Sequence, residues 1–225
     1  QLIVNVAAAP FTRQKRDGRP HMLASIARRH GVPVVFVNQV GGHDDLIFDG
    51  SSAVFGPDGA LWARAREHAE DLVVAELAGG GPIAARAESE EGSVLDALVL
   101  GTRDYAHKCG FERAVLGVSG GVDSALVAAI AAEALGPDNV LGLALPTRYS
   151  SPASFRDAHA LVEALGIGFR EVPIDGFFQS YIDGLGPHPG RAEPAAVAVE
   201  PHGRERGAHR DRRVEGSEAR SEHAG

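Results

Sequence analysis

The chain has 225 residues, a formal net charge of −8 and a sequence pI near 5.7, a balance that argues against a nucleic-acid-binding or membrane-surface protein. No run approaches the length of a transmembrane helix, and no signal-peptide pattern opens the chain. A single cysteine excludes an internal disulfide framework and fits a reducing cytoplasm.

In chain order, Gln1–Ala7 reads as a buried strand and Arg19–His30 as a helix stopped by Gly31. After Pro33, the continuous apolar run Val34–Val37 reads as a second buried strand. A turn over 41–45 leads to short strands at Leu46–Phe48 and Ser52–Phe55, then Pro57-Asp-Gly59 turns into Ala60–Ala63 and Asp71–Ala75. Residues 1–77 are thus a strand-rich, layered first region. Residues 78–92, with Gly79-Gly-Gly-Pro82 and then acidic residues without periodicity, read as a linker whose glycines make a flexible joint.

From Ser93 the pattern changes. Ser93 and Asp96 make a capping-box-like start to a helix with one apolar face, ended by Gly110. Strand 113–118, helix 122–134, strand 140–145, helix 152–165, strand 168–173 and a helix from Asp175 to about Asp183 follow. Alternation with short connections predicts a parallel sheet covered by helices over 93–186.

Composition shifts again near Pro187. From there to Gly225 three valines are the only large apolar residues, seven Arg balance seven Asp/Glu, and four of the ten histidines occur. Such a segment buries too little to offset its ordering entropy, so 187–225 is expected to be a disordered tail. Twenty arginines against two lysines, among many alanines and glycines, look like the codon bias of a GC-rich genome. A one-base slip in such a gene gives a tail of this kind. With an opening that lacks an initiator methionine, the chain reads as a gene fragment with a frameshifted tail.

The strongest chemical signal is Ser119-Gly-Gly-Val-Asp-Ser124, between the strand ending Gly117-Val118 and a helix. A glycine-rich turn there aims backbone N–H groups and the positive end of the helix at one spot, which suits a phosphate. Gly117, Val118, Ser119, Gly120, Gly121, Val122, Asp123 and Ser124 are therefore the expected nucleotide-phosphate site. The turn lacks the Gly-Lys-Ser/Thr ending of P-loops and the three-glycine dinucleotide fingerprint. Asp123 is expected to hold Mg2+, since an anion here needs a counter-charge; a helix-start residue favoured by the dipole is the plainer alternative. The next strand ends in Leu145-Pro-Thr-Arg-Tyr-Ser-Ser151, beside the loop in a parallel sheet. Those residues either wrap the adenosine of ATP or form an ordinary loop with Ser151 as cap. Cys109 reads as a core position, and His43-Asp-Asp45 sits too tightly on one turn to converge on one ion.

The Ser-Gly-Gly-x-Asp-Ser loop resembles that of the ATP-pyrophosphatase superfamily. Five stretches narrow this: Gly101-Thr-Arg-Asp-Tyr105, Leu116–Leu126, Ala134–Val140, and upstream Ala9-Pro-Phe11 and Val37–Ser51. Over about residues 1–186 the chain resembles bacterial glutamine-dependent NAD(+) synthetases. In that family a nitrilase-like glutaminase domain precedes an ATP-dependent synthetase domain. The fold implied is α/β: a Rossmann-like parallel sheet of the adenine-nucleotide alpha-hydrolase type, preceded by the C-terminal part of a nitrilase-like α/β/β/α layered domain. The chemistry implied is adenylation of deamido-NAD by ATP with release of pyrophosphate, then displacement of AMP by ammonia from glutamine. By the same resemblance ATP and Mg2+ are the cofactors, Ser150 approaches the ATP, and the intact parent is a cytoplasmic homo-oligomer that binds neither nucleic acid nor membrane. The family's Glu–Lys–Cys glutaminase triad belongs upstream of residue 1, and its downstream Thr-Gly-Asn-Lys/Arg-Ser-Glu segment has no match here, so no catalytic residue is assigned. The alternatives are a non-catalytic ATP-binding remnant and another ATP-pyrophosphatase, such as a GMP synthetase or a tRNA-modifying enzyme.

Overall fold

The computed structural model describes residues 1–185. The chain divides into two compact units, Gln1–Tyr181 and Ile182–Gly225. The segment 187–225, expected to be a tail, lies outside the described residues.

The first unit begins with β1 (Ile3–Ala7), α1 (Lys15–His30) and β2 (Val34–Asn38). The helical crossover makes β1 and β2 parallel, in register from Ile3 opposite Val34 to Ala7 opposite Asn38. The hairpin β3 (Val40–His43) and β4 (Leu46–Asp49) follows, then β5 (Ala53–Phe55) and β6 (Leu61–Arg64), giving a sheet ordered β1-β2-β5-β6 with β5 antiparallel to both neighbours. Leu23, Ala24 and Ala27 on α1 bury against Val34, Phe36, Ala53 and Phe55, the core of this half.

α1 starts four residues earlier than the sequence predicts and carries Pro20 in its interior. Proline has no N–H to give the carbonyl four residues back, which is that of Arg16. Arg86 Nη2 donates to that carbonyl instead, at 2.9 Å. The expected 41–45 turn tightens to Asp44-Asp45, with Asp44 at φ +50° and the flanking residues paired as β3 and β4.

The strand expected over Asp71–Ala75 does not form. Leu72 and Val74 are exposed, and the edge of β6 that such a strand would need is taken by residues 81–84. Gly81 N–H donates to Trp62 O, Arg64 N–H to Pro82 O and Ala84 N–H to Arg64 O, all at 2.9–3.0 Å. The glycine-rich stretch is therefore hydrogen-bonded along the sheet; a Cβ on Gly80 would stand 3.1 Å from Trp62 O.

α2 (Glu90–Lys108) is capped by Ser89, whose hydroxyl accepts from Gly92 N–H at 2.9 Å. Ser93, expected at the cap, is instead buried one turn in, with its Oγ 3.2 Å from His68 Nε2. The helix begins earlier because the acidic residues before Ser93 find cations: Arg13 donates to Glu90 at 2.8 Å. Cys109, expected in the core, is exposed at the helix end.

β7 (Ala114–Gly117), α3 (Val122–Leu135), β8 (Val140–Ala144), α4 (Pro152–Leu165), β9 (Gly168–Glu171) and α5 (Asp175–Leu185) follow, the strands forming a parallel sheet ordered β7-β8-β9. Ala128, Ala131 and Ala132 of α3 and Ala158 and Val162 of α4 bury against Val118, Val140 and Ile167. The alanines keep α3 close to the sheet. The α/β class and the strand–helix alternation expected from the sequence are both present.

Candidate functional site

The loop between β7 and α3 leaves the sheet at the carboxyl end of its first strand, where open α/β sheets take ligands. Its shape comes from its own residues. Gly120 adopts φ +79°, a conformation that L side chains rarely hold. The hydroxyl of Ser124 donates to Gly121 O at 2.9 Å and accepts from Ser119 N–H at 3.2 Å. The hydroxyl of Ser119 accepts from Gly121 N–H at 3.2 Å and lies 3.1 Å from Ser124 Oγ. Because Ser124 commits its proton to Gly121, Ser119 is the donor in the contact between the two and can redirect that proton to a ligand.

The eight loop residues expected to act together are contiguous here, but they contribute differently. Val118 is buried and its N–H donates to Leu143 O at 2.8 Å, so that N–H is committed to the sheet. Gly117 closes β7, with open space where a Cβ would project. Val122 and Asp123 open α3, whose first N–H groups have no partner within a helix, and Gly121 is its N-cap residue without any side-chain cap bond. Those N–H groups and the helix dipole together favour an anion.

Ser150 lies in the β8–α4 loop, which is built as tightly as the first. Its Oγ accepts from Thr147 N–H at 3.0 Å and its own N–H donates to Thr147 O at 2.9 Å. Ser151 caps α4 by accepting from Ser154 N–H at 3.0 Å. The two loops are neighbours: the first turn of α4 passes so close to Gly120 that a Cβ there would sit 2.9 Å from Ser154 Cα.

Sequence reasoning missed what braces the second loop. Arg148 donates from its backbone N–H and its Nε to Asp175 Oδ1, at 3.1 and 3.2 Å. These bonds hold the Asp175 carboxyl below the usual carboxylate range, the backbone N–H first and the guanidinium second. Tyr149 packs edge-on against Phe178 with centroids 5.7 Å apart. The partners are 27 and 29 residues apart, and only the β8–β9 pairing brings them together; no local spacing signals it.

Elsewhere, His43 and Asp44 are exposed, 3.8 Å apart. Among the described residues no three His, Cys, Asp or Glu side chains form a group fit for a metal ion, and no helix is long and apolar enough to cross a membrane.

A family model described as NAD synthase matches residues 94–207, and one described as carbon-nitrogen hydrolase matches residues 1–82. The glutamine-dependent NAD(+) synthetase of Synechocystis sp. is 44% identical over 193 residues, covering 83% of this chain and 34% of that protein. The protein of the same name from Rhodobacter capsulatus is 41% identical over 175 residues, covering 75% of this chain and 32% of the relative. Among solved structures, the glutamine-dependent NAD+ synthetase of Acinetobacter baumannii, determined in complex with ADP, superposes with a TM-score of 0.77 at 33% identity, over 82% of this chain and 36% of that one. The chain thus spans about a third of the length of the curated relatives it matches.

Proposed function

Since the chain belongs to the NAD synthase family, we propose that its 114–151 region is the ATP-binding part of an enzyme that amidates deamido-NAD to NAD(+). The observation that carries the reading is the β7–α3 loop: a self-bonded Ser119/Ser124 turn with Gly120 at φ +79°, at the carboxyl end of a parallel sheet, opening a helix. The relatives quoted are glutamine-dependent NAD(+) synthetases, which favours this substrate over those of a GMP synthetase or a tRNA-modifying enzyme.

In this reading a carboxylate oxygen of deamido-NAD attacks the α-phosphorus of ATP, the bond to the bridging oxygen breaks, and pyrophosphate leaves. Ammonia then attacks the mixed anhydride and AMP departs. A carboxylate resists ammonia until it carries such a leaving group. The role of the loop is to hold the phosphates: backbone N–H groups at the start of α3 and the Ser119 proton meet the charge that gathers on pyrophosphate. Asp123, in the first turn of α3, is the carboxylate that would hold Mg2+. A single carboxylate suits a Mg2+ that arrives with the nucleotide, since that ion takes one or two protein carboxylates plus phosphates and keeps waters. When bound, it neutralises phosphate charge. Ser150 would line the adenosine side. Glutamine as the ammonia source, a cytoplasmic location and a homo-oligomeric parent rest on kinship alone.

Calorimetric titration of the chain with ATP and Mg2+, beside Asp123→Ala, tests this. Saturable binding weakened about tenfold or more by the substitution is expected, the scale of losing one charge-assisted contact. Equal binding by both proteins would rule Asp123 out. A folded chain that binds no nucleotide would leave a non-catalytic remnant of the family.

A further inference from the structure

The β8–α4 loop is bonded to the start of α5 through Arg148 and Asp175. Several bonds and contacts attach it to the α5 region. Ile174 N–H donates to Pro146 O at 3.2 Å. Arg148 reaches Asp175 with two donors and Gln179 Oε1 with a third, at 3.4 Å. Tyr149 rests on Phe178. Within the loop, the Thr147 and Ser150 bonds make it a rigid turn, so whatever fixes Arg148 fixes Ser150 and the Ser151 cap of α4 as one piece. That cap starts the same turn of α4 that abuts Gly120 of the phosphate loop.

We propose that Arg148 is a positioning residue: through Asp175 at the start of α5 it latches the β8–α4 loop, and so sets the wall that receives the adenosine half of ATP. The proposal rests on the ATP reading given above for the identity of the ligand. The latch itself rests on the bonds just described. One Asp175 oxygen takes both donors, so the carboxylate acts as a pivot, and a planar guanidinium reaches Gln179 at the same time. A lysine has no fork with which to do both. Arg148 is exposed and Asp175 half-buried, neither belongs to the buried sheet, and loss of the latch should leave that sheet intact.

Three proteins separate the latch from general damage: Arg148→Ala, Asp175→Asn and the charge swap Arg148→Asp/Asp175→Arg. Calorimetry with Mg2+ is run with ATP and with pyrophosphate, which lacks the adenosine half. The expected result is a loss of about tenfold in ATP affinity for each single variant, with pyrophosphate affinity within about twofold, and recovery in the swap limited to the side-chain ion pair, since an arginine at 175 cannot accept from the N–H of residue 148. Equal losses for both ligands, or none, would overturn the proposal. Amide hydrogen exchange, which needs no ligand, is read on the same variants. Faster exchange at Arg148 and Ser150 with unchanged exchange in α3 supports the latch, and unchanged exchange in the loop overturns it. Should the unsubstituted chain bind no ATP, the ATP reading fails, and the exchange data alone decide whether Arg148 holds the loop.

Discussion

Ser154 Cα stands 2.9 Å from the point that a β-carbon on Gly120 would occupy, closer than real Cβ contacts come. The β7–α3 loop and the first turn of α4 therefore touch through a missing side chain. Gly120 is needed twice, for this approach and for its φ of +79°. Gly120→Ala is expected to cost roughly 2–5 kcal/mol, from left-handed strain plus overpacking against backbone that cannot yield. Gly117→Ala is its control, because nothing lies within 4 Å of that position and its φ is ordinary. Its stability should change by less than about 1 kcal/mol. Urea midpoints of the two variants check this; a Gly120→Ala protein as stable as the control would show that α4 can move away.

Asn38 is the polar centre of the first half. Its Oδ1 accepts from Ala9 N–H at 2.8 Å, and its Nδ2 faces Asp49 Oδ1 and Gly50 O, each at 3.1 Å. Asp49 is buried as well and takes Arg19 Nη1 on both oxygens. Asn38→Ala would leave a backbone donor and part of a buried carboxylate without partners, a loss of about 2–4 kcal/mol. Asn38→Asp should be at least as harmful, since it sets a second carboxylate against Asp49 where only an amide can donate. Denaturant unfolding at neutral pH distinguishes these costs from the near-neutral effect expected of a surface amide.

Much of this was legible in the sequence. The helix over 152–165 was delimited to the residue, because Ser151-Pro152 starts it and Gly166 stops it. The self-bonded turn between β7 and α3 is legible because its residues are consecutive. What escaped depends on partners distant in sequence. Pro20 inside α1 is tolerated because Arg86, 70 residues on, serves the carbonyl of Arg16. The strand over Asp71–Ala75 fails because residues 81–84 reach the edge of β6 first. Ser93 looks like a cap by spacing and is a buried partner of His68 in fact. Arg148 and Asp175 meet only once β8 and β9 have paired.

The hairpin β3–β4 is bonded to α2 through Gly42. Asp104 Oδ2 accepts from Gly42 N–H at 2.8 Å while Lys108 Nζ donates to Gly42 O, and a Cβ on Gly42 would stand 3.2 Å from Gly101 Cα. A glycine on each side lets the two backbones come this close. Asp104→Ala is expected to speed amide exchange at Gly42 and along Leu46–Asp49 by about tenfold, the equivalent of one charge-assisted hydrogen bond lost. Exchange in the sheet β7-β8-β9 should be unaffected. If the hairpin amides keep their protection, the glycine contact alone secures it.

His68 joins the two halves of the first unit and should make that junction sensitive to acid. It is buried, its Nε2 is 3.2 Å from Ser93 Oγ, its ring meets Phe11 edge-on, and its Nδ1 has no partner. Burial pushes its pKa below the ordinary value of 6.5, against the pull of Asp49, Glu67 and Asp96. The sign follows from where protons bind. Between the lowered folded value and about 6.5, the unfolded chain takes up the proton and the folded chain does not. The stability that neutral His68 supports is thus complete above about pH 6.5, declines as pH falls toward the folded value, and is flat below it. Protonation would make both ring nitrogens donors, and Nδ1 has no acceptor among the described residues. His68→Gln keeps a group able to bond Ser93 but cannot titrate. Urea midpoints from pH 7.5 to 5 should fall more steeply for the unsubstituted chain than for His68→Gln. Parallel slopes would show that His68 is not the source of the acid sensitivity.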